Sequence, residues 1–155
     1  CDSSFSLALR LSPTRFGVQI DEIAAYYERL CADRTLDFID MSLWDVFQEV
    51  DEGPFKGLRL VDVFAKLDRQ DTKLTVAGKI TTGEDVNNVL DAGVDFVALG
   101  RAGILHHDWP QKFFKNNDFQ SMQTPVTKAH LSAEGLGPKF VSYMSTWAGF
   151  VEEST

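Results

Sequence analysis

The feature that most restricts this chain is an alternation of short apolar runs with amphipathic stretches, joined by brief polar returns. Phe5, Leu7, Leu9 and Leu11 fall on one side of an extended segment and Ser6, Ala8 and Arg10 on the other, the period of a strand, which Pro13 then stops. Asp21 is placed to cap a helix with Ile23, Tyr27, Leu30 and Cys31 on one face. Leu36 to Met41 reads as a second strand. The segment from Ser42 to Gly57 is long for a loop and predicts a functional or mobile connection. Leu58 to Leu67 is the next helix, with Leu60, Val61, Phe64 and Leu67 inward. Lys73 to Gly78 is a third strand. Thr81 and Glu84 form a capping-box pair for a helix carrying Val86, Val89 and Leu90 and ending near Gly93, and Val94 to Leu99 is a fourth strand.

Strand and helix in strict alternation predict an α/β fold of right-handed βαβ units with parallel strands. Two architectures satisfy the pattern: an open doubly wound sheet and part of a (β/α)8 barrel. Four units are too few to close a barrel, which takes about 250 residues. Periodicity does not choose between them. The chain of 155 residues suffices for a single domain, with βα units over about 5–116 and a helical tail over 117–155.

Composition limits the function classes. The chain is 44% hydrophobic and 25% charged, which fits a globular protein. No apolar run approaches the roughly 18 residues needed to cross a bilayer, so no membrane partner is expected. Cys1 to Ser4 are polar without a basic flank, which predicts no secretory signal and a soluble, cytoplasmic protein. A net charge of −8 argues against a nucleic-acid surface. Cys1 and Cys31 have no metal or redox spacing and are expected to be free thiols.

Two strand ends carry chemistry. One reads Val76-Ala77-Gly78-Lys79 and the next Ala98-Leu99-Gly100-Arg101. Glycine there lets backbone N–H groups approach a bound anion, and Arg101 adds a guanidinium fork. In barrels, the loops after the last two strands commonly hold a phosphate. Taken singly, each glycine also suits a tight turn and Arg101 a solvated charge; the repetition in consecutive units favours an anion site.

The strings LALRLSP, LDFIDMSLWDVF, TVAGKITTGEDVNNVLDAGVDFVALGRAGILHHDWPQK and LSAEGLGPKFVSYMSTWAGFV, in this order from about Phe5 to Val151, resemble the last part of NADH:flavin oxidoreductases of the old yellow enzyme family. The resemblance implies that the four strands are strands five to eight of a (β/α)8 TIM barrel and that the cofactor is FMN, reduced by NAD(P)H. It implies hydride transfer onward to an activated alkene as the small-molecule substrate. Arg10 matches the family arginine beside the flavin N1 and C2 carbonyl, where a fixed cation stabilises the reduced ring. Ala77, Gly78 and Lys79 match the first phosphate loop, and Gly100 with Arg101 the second. The family more often has Gly or Asn at the position of Lys79, which leaves the backbone as that residue's contribution.

In the family, the substrate-binding His/Asn or His/His pair and the Tyr proton donor come from the first half of the barrel. No catalytic acid or base is therefore expected among these residues, and no metal ligand. The chain is expected to be the FMN-binding half, incomplete for catalysis alone. Other phosphate-binding barrels of the aldolase or isomerase class would share the glycine loops without needing Arg10, and a non-catalytic half-barrel is a further alternative. Strands five to eight alone leave two open edges and an exposed apolar face, which predicts a homo-oligomer or association with an N-terminal half.

Several conspicuous residues have plainer readings. His106 and His107 precede the helix start Asp108-Trp109-Pro110 and are expected in a surface loop. His130 has no evident partner. Trp44 and Phe47 either border a substrate or pack on a helix. Phe140, Tyr143, Met144 and Trp147 recur at helical spacing as core or interface, and Asp40, Asp45 and Asp51 show no metal spacing.

Overall fold

The computed structural model describes residues 5–13 and 17–153. Cys1 to Ser4, on which the expectations of a free thiol at Cys1 and of no secretory signal rest, lie outside the described residues. The chain divides into two compact units, one of Cys1–Ile80 with Asp85–Ala98 and one of Thr81–Glu84 with Leu99–Thr155.

The first unit is built on four parallel strands in the order β1-β2-β3-β4: β1 (Ala8–Leu11), β2 (Phe38–Ser42), β3 (Lys73–Ala77) and β4 (Phe96–Val97). Between them run α1 (Ile20–Ala32), α2 (Leu60–Lys66) and α3 (Gly83–Asp91), whose first two residues count with the second unit. The α/β class with parallel strands is therefore as the sequence predicts. Register gives the sheet two unlike faces. Ile39, Met41, Leu74 and Val76 share one face and are fully buried, and Tyr27 and Cys31 of α1 and Val61 and Phe64 of α2 are equally buried. Burial of each such aliphatic side chain contributes about 2 kcal/mol. The rings of Tyr27 and Phe64 meet at 6.0 Å, tying α1 to α2. The opposite face carries Ala8, Arg10, Phe38, Asp40, Thr75 and Phe96. There Phe38 and Phe96 make an edge-on contact at 5.4 Å, and Phe96 keeps 42% of its surface exposed.

Elements begin and end differently from the sequence reading, for local reasons. β1 starts at Ala8, because the Leu7 N–H donates to the Asp37 carboxylate (2.6 Å) and not to a neighbouring strand. α1 starts at Ile20, ahead of the expected cap Asp21, and the Gln19 N–H donates to Glu22 Oε2 at 3.3 Å. Asp21 and Glu22 instead occupy the first turn, where the helix dipole favours them. β4 is only two residues long. Just before it, the Asp95 carboxylate accepts from the Leu74 N–H (2.9 Å) and pairs with Lys73 (3.0 Å) and Arg69 (3.2 Å). The long segment after β2 is packed against the core: Leu43 and Val46 are fully buried, the Leu43 N–H donates to the Ala77 carbonyl (2.8 Å) and the Val61 N–H to the Val46 carbonyl (3.0 Å).

The second unit holds α4 (Arg101–Leu105), α5 (Trp109–Lys115), α6 (Lys128–Ala133) and α7 (Pro138–Met144). Its core joins Leu105, Val126, Leu131, Val141, Met144, Phe150 and Val151. The Trp109 indole donates to Ser121 Oγ at 2.8 Å, satisfying a polar atom that burial would otherwise strand. Thr127 caps α6 by accepting from the His130 N–H at 3.0 Å. Of the four aromatic or Met residues expected as core or interface, Met144 is in the core, while Phe140, Tyr143 and Trp147 are each at least 40% exposed. Among the described residues no helix is long and apolar enough to cross a membrane.

Candidate functional site

Arg10 is the third residue of β1, near the end where parallel sheets present their ligands. Its Nε and one terminal nitrogen both donate to Asp40 Oδ2, at 2.8 and 2.5 Å. Asp40 lies directly across the β1–β2 register, and Thr75 directly across from Asp40 on β3. The Asp40 side chain is 13% exposed, but that of Arg10 is 64% exposed. Asp40 Oδ1 and Thr75 Oγ1 are buried and have no hydrogen-bond partner among the described residues. The row Arg10–Asp40–Thr75 thus joins an open cation to two buried oxygens.

At the end of β3 the chain turns through Gly78 (φ 153) and Lys79 (φ 51). A Cβ at Gly78 would lie 2.7 Å from the Trp44 carbonyl carbon and 2.9 Å from the Asp45 nitrogen, so glycine is required by a close backbone approach. The Lys79 ammonium donates to Asp45 Oδ2 at 2.8 Å. That bond, aided by the Phe47 N–H, holds the Asp45 carboxyl below the usual carboxylate range against the opposing effect of burial. Lys79 thereby spends its charge on the chain itself. Trp44 is 60% exposed with φ 63, whereas Phe47 packs under the Arg59 guanidinium at 5.7 Å. Ala77 contributes the carbonyl that anchors Leu43.

Gly100 and Arg101 belong to the second unit. Gly100 is the N-cap of α4 and its carbonyl accepts from the Gly103 N–H at 3.0 Å. A Cβ there would meet nothing within 4 Å, so no packing constraint of the Gly78 kind explains this glycine. Arg101 is exposed.

A cavity of about 330 Å³ opens between the turn after β1, the start of α1 and Gln48–Phe55. Asp21, Glu49, Asp51 and Glu52 line it, and none of the residues singled out from the strand ends does.

The histidines need a correction. His107 is exposed, as a surface loop predicts, and its Nδ1 lies 2.7 Å from Glu134 Oε2. His106 is buried, only 9% exposed, edge-on to Phe119 at 5.3 Å. Its Nε2 accepts from the Met122 N–H at 3.0 Å, a contact sixteen residues away that a local reading of HHDWP does not contain. Burial, reinforced by the nearby Lys112 ammonium, pushes the His106 pKa down. His106, His130 and Glu134 each bring one ligand-type atom within 4.8 Å of the others. The donor set does not suit a metal, however. Acceptance at Nε2 puts the His106 proton on Nδ1, which has no lone pair to give. His130 points Nε2 at the Leu105 carbonyl (2.9 Å), and Glu134 is already engaged by His107.

No family model matches the chain, and no curated protein matches it. The geometry stands by itself: an open guanidinium held from below on β1, and a backbone turn at Gly78 that excludes any side chain.

Proposed function

We propose that this chain carries the FMN-binding part of an NAD(P)H-dependent flavin oxidoreductase of the old yellow enzyme type, its strands being five to eight of a (β/α)8 barrel. The strand order supports the barrel: β1-β2-β3-β4 runs without the reversal that defines a doubly wound sheet. Right-handed crossovers that all step in one direction put every helix on the same face and leave the other for a barrel interior. Arg10, Asp40 and Thr75 lie on that second face.

The observation that carries the reading is the state of Arg10. Its side edge is used by Asp40, its other terminal nitrogen makes no hydrogen bond among the described residues, and the side chain as a whole remains 64% exposed. Two parallel N–H groups on the end edge of a guanidinium suit two adjacent acceptors, as at the N1 and C2 carbonyl of a flavin. When bound, FMN would supply the hydride transfer from NAD(P)H to an activated alkene. Arg10 binds and orients the ring and offsets negative charge near N1. By resemblance, the backbone at Ala77, Gly78 and Lys79 is assigned to the phosphate. The partly exposed Phe38–Phe96 face supports association with the remainder of a barrel or with a second copy.

Flavin absorbance of the purified chain after incubation with FMN and gel filtration tests the proposal. Retained yellow colour that is lost in Arg10→Ala supports it. Retention of a sugar phosphate without flavin would favour an aldolase or isomerase barrel instead.

A further inference from the structure

We propose that Asp40 is a positioning residue that sets the direction of the Arg10 guanidinium. This rests on the flavin reading for what the guanidinium meets, but the clamp is a property of the chain itself. A guanidinium has a side edge, formed by Nε–H and one terminal N–H, and an end edge, formed by the two terminal nitrogens. Both observed bonds come from the side edge and converge on the single oxygen Oδ2. That choice leaves the end edge free as a fork. A carboxylate meeting the end edge would consume the fork and block recognition of a ligand.

The sheet fixes the carboxylate so that it can do this. Asp40 is in the middle of β2, flanked by β1 and β3, with its neighbours Ile39 and Met41 fully buried on the other face. Its side chain is far less exposed than that of Arg10. Arg10 therefore adapts to Asp40, and not the reverse. Asp40 Oδ1 takes no hydrogen bond among the described residues, and neither does Thr75 Oγ1 beside it. No other donor there draws the carboxylate away from the guanidinium. An uncompensated carboxylate at this depth would be costly, so the pair is coupled in both directions: Arg10 neutralises Asp40, and Asp40 aims Arg10.

Arginine side-chain NMR of the cofactor-free chain tests the clamp directly. The Arg10 Nε–H signal, assigned by its disappearance in Arg10→Lys, is expected to exchange with water at least about tenfold more slowly than exposed arginines. In Asp40→Asn it should move to the exposed rate. An unprotected wild-type signal overturns the proposal, and this arm holds even if Asp40→Asn does not fold. FMN titrations then read the consequence. Asp40→Asn should weaken FMN about tenfold in the wild-type background and leave the Arg10→Lys background unchanged, since the effect passes through Arg10. Equal losses in both backgrounds overturn a positioning role. A protected Arg10 signal in a chain that binds no FMN supports the clamp while refuting the flavin reading.

Discussion

Gly78→Ala probes the turn at the end of β3. The added methyl would lie 2.7 Å from the Trp44 carbonyl carbon, 2.9 Å from the Asp45 nitrogen and 3.0 Å from the Trp44 nitrogen, whereas ordinary contacts begin at 3.4 Å. All three are backbone atoms, so no side chain can swing away. The facing segment is held by Leu43 N–H to the Ala77 carbonyl (2.8 Å) and Val46 N–H to the Gly78 carbonyl (3.2 Å), which resist a shift of the required several tenths of an ångström. Overpacking of this kind costs about 1–3 kcal/mol. The positive φ adds about 1 kcal/mol for a residue with a Cβ. A total near 3 kcal/mol is a large share of a typical stability of about 5–15 kcal/mol. With a urea slope of about 1.5 kcal/mol per molar, the midpoint should fall by about 2 M. Gly100→Ala is the control: its Cβ meets nothing within 4 Å, so the loss should not exceed about 1 kcal/mol. Urea unfolding followed by tryptophan fluorescence and circular dichroism reads both. A Gly78→Ala midpoint indistinguishable from wild type would refute the close approach.

Two further expectations concern pH. His106 is held neutral by burial and by the Lys112 charge, so its folded pKa lies below the usual value of 6.5. Its contribution to stability is complete above that value and is lost as pH falls toward the folded pKa. Melting temperatures of His106→Gln should therefore decline less than wild type between about pH 7 and 5, and an identical decline would contradict the assignment. Burial alone would raise Asp95, but the Leu74 N–H, Lys73 and Arg69 together bring it below its usual 3.8. Its stabilisation is present above that value and is lost as pH falls through the lower folded one. Asp95→Asn should be less stable than wild type at neutral pH, and the gap should close in acid; a gap constant with pH would refute the argument.

What was legible in the sequence follows the range of the forces involved. The buried face of the sheet was readable, because Ile39 and Met41 alternate with Phe38 and Asp40 in the period of a strand. The need for glycine at position 78 was readable as a type of residue at a strand end. Its steric cause was not, since Trp44 and Asp45 approach from the segment that follows β2, more than thirty residues earlier in the chain. Asp40 carried no signal: a lone acid inside an apolar strand reads as a minor irregularity until the register sets it opposite Arg10. His106 was misplaced for the same reason, its acceptor role depending on Met122. The start of α1 shifted because Glu22 takes the Gln19 N–H three residues before it, and β4 is short beside an Asp95 carboxylate that takes the Leu74 N–H of β3.

Parallel titrations with FMN and riboflavin test the central claim most directly, because the two differ only by the phosphate. The account predicts saturable FMN binding, with riboflavin weaker by at least about tenfold. Equal affinity for the two flavins, or no binding of either at high micromolar concentration, would contradict it.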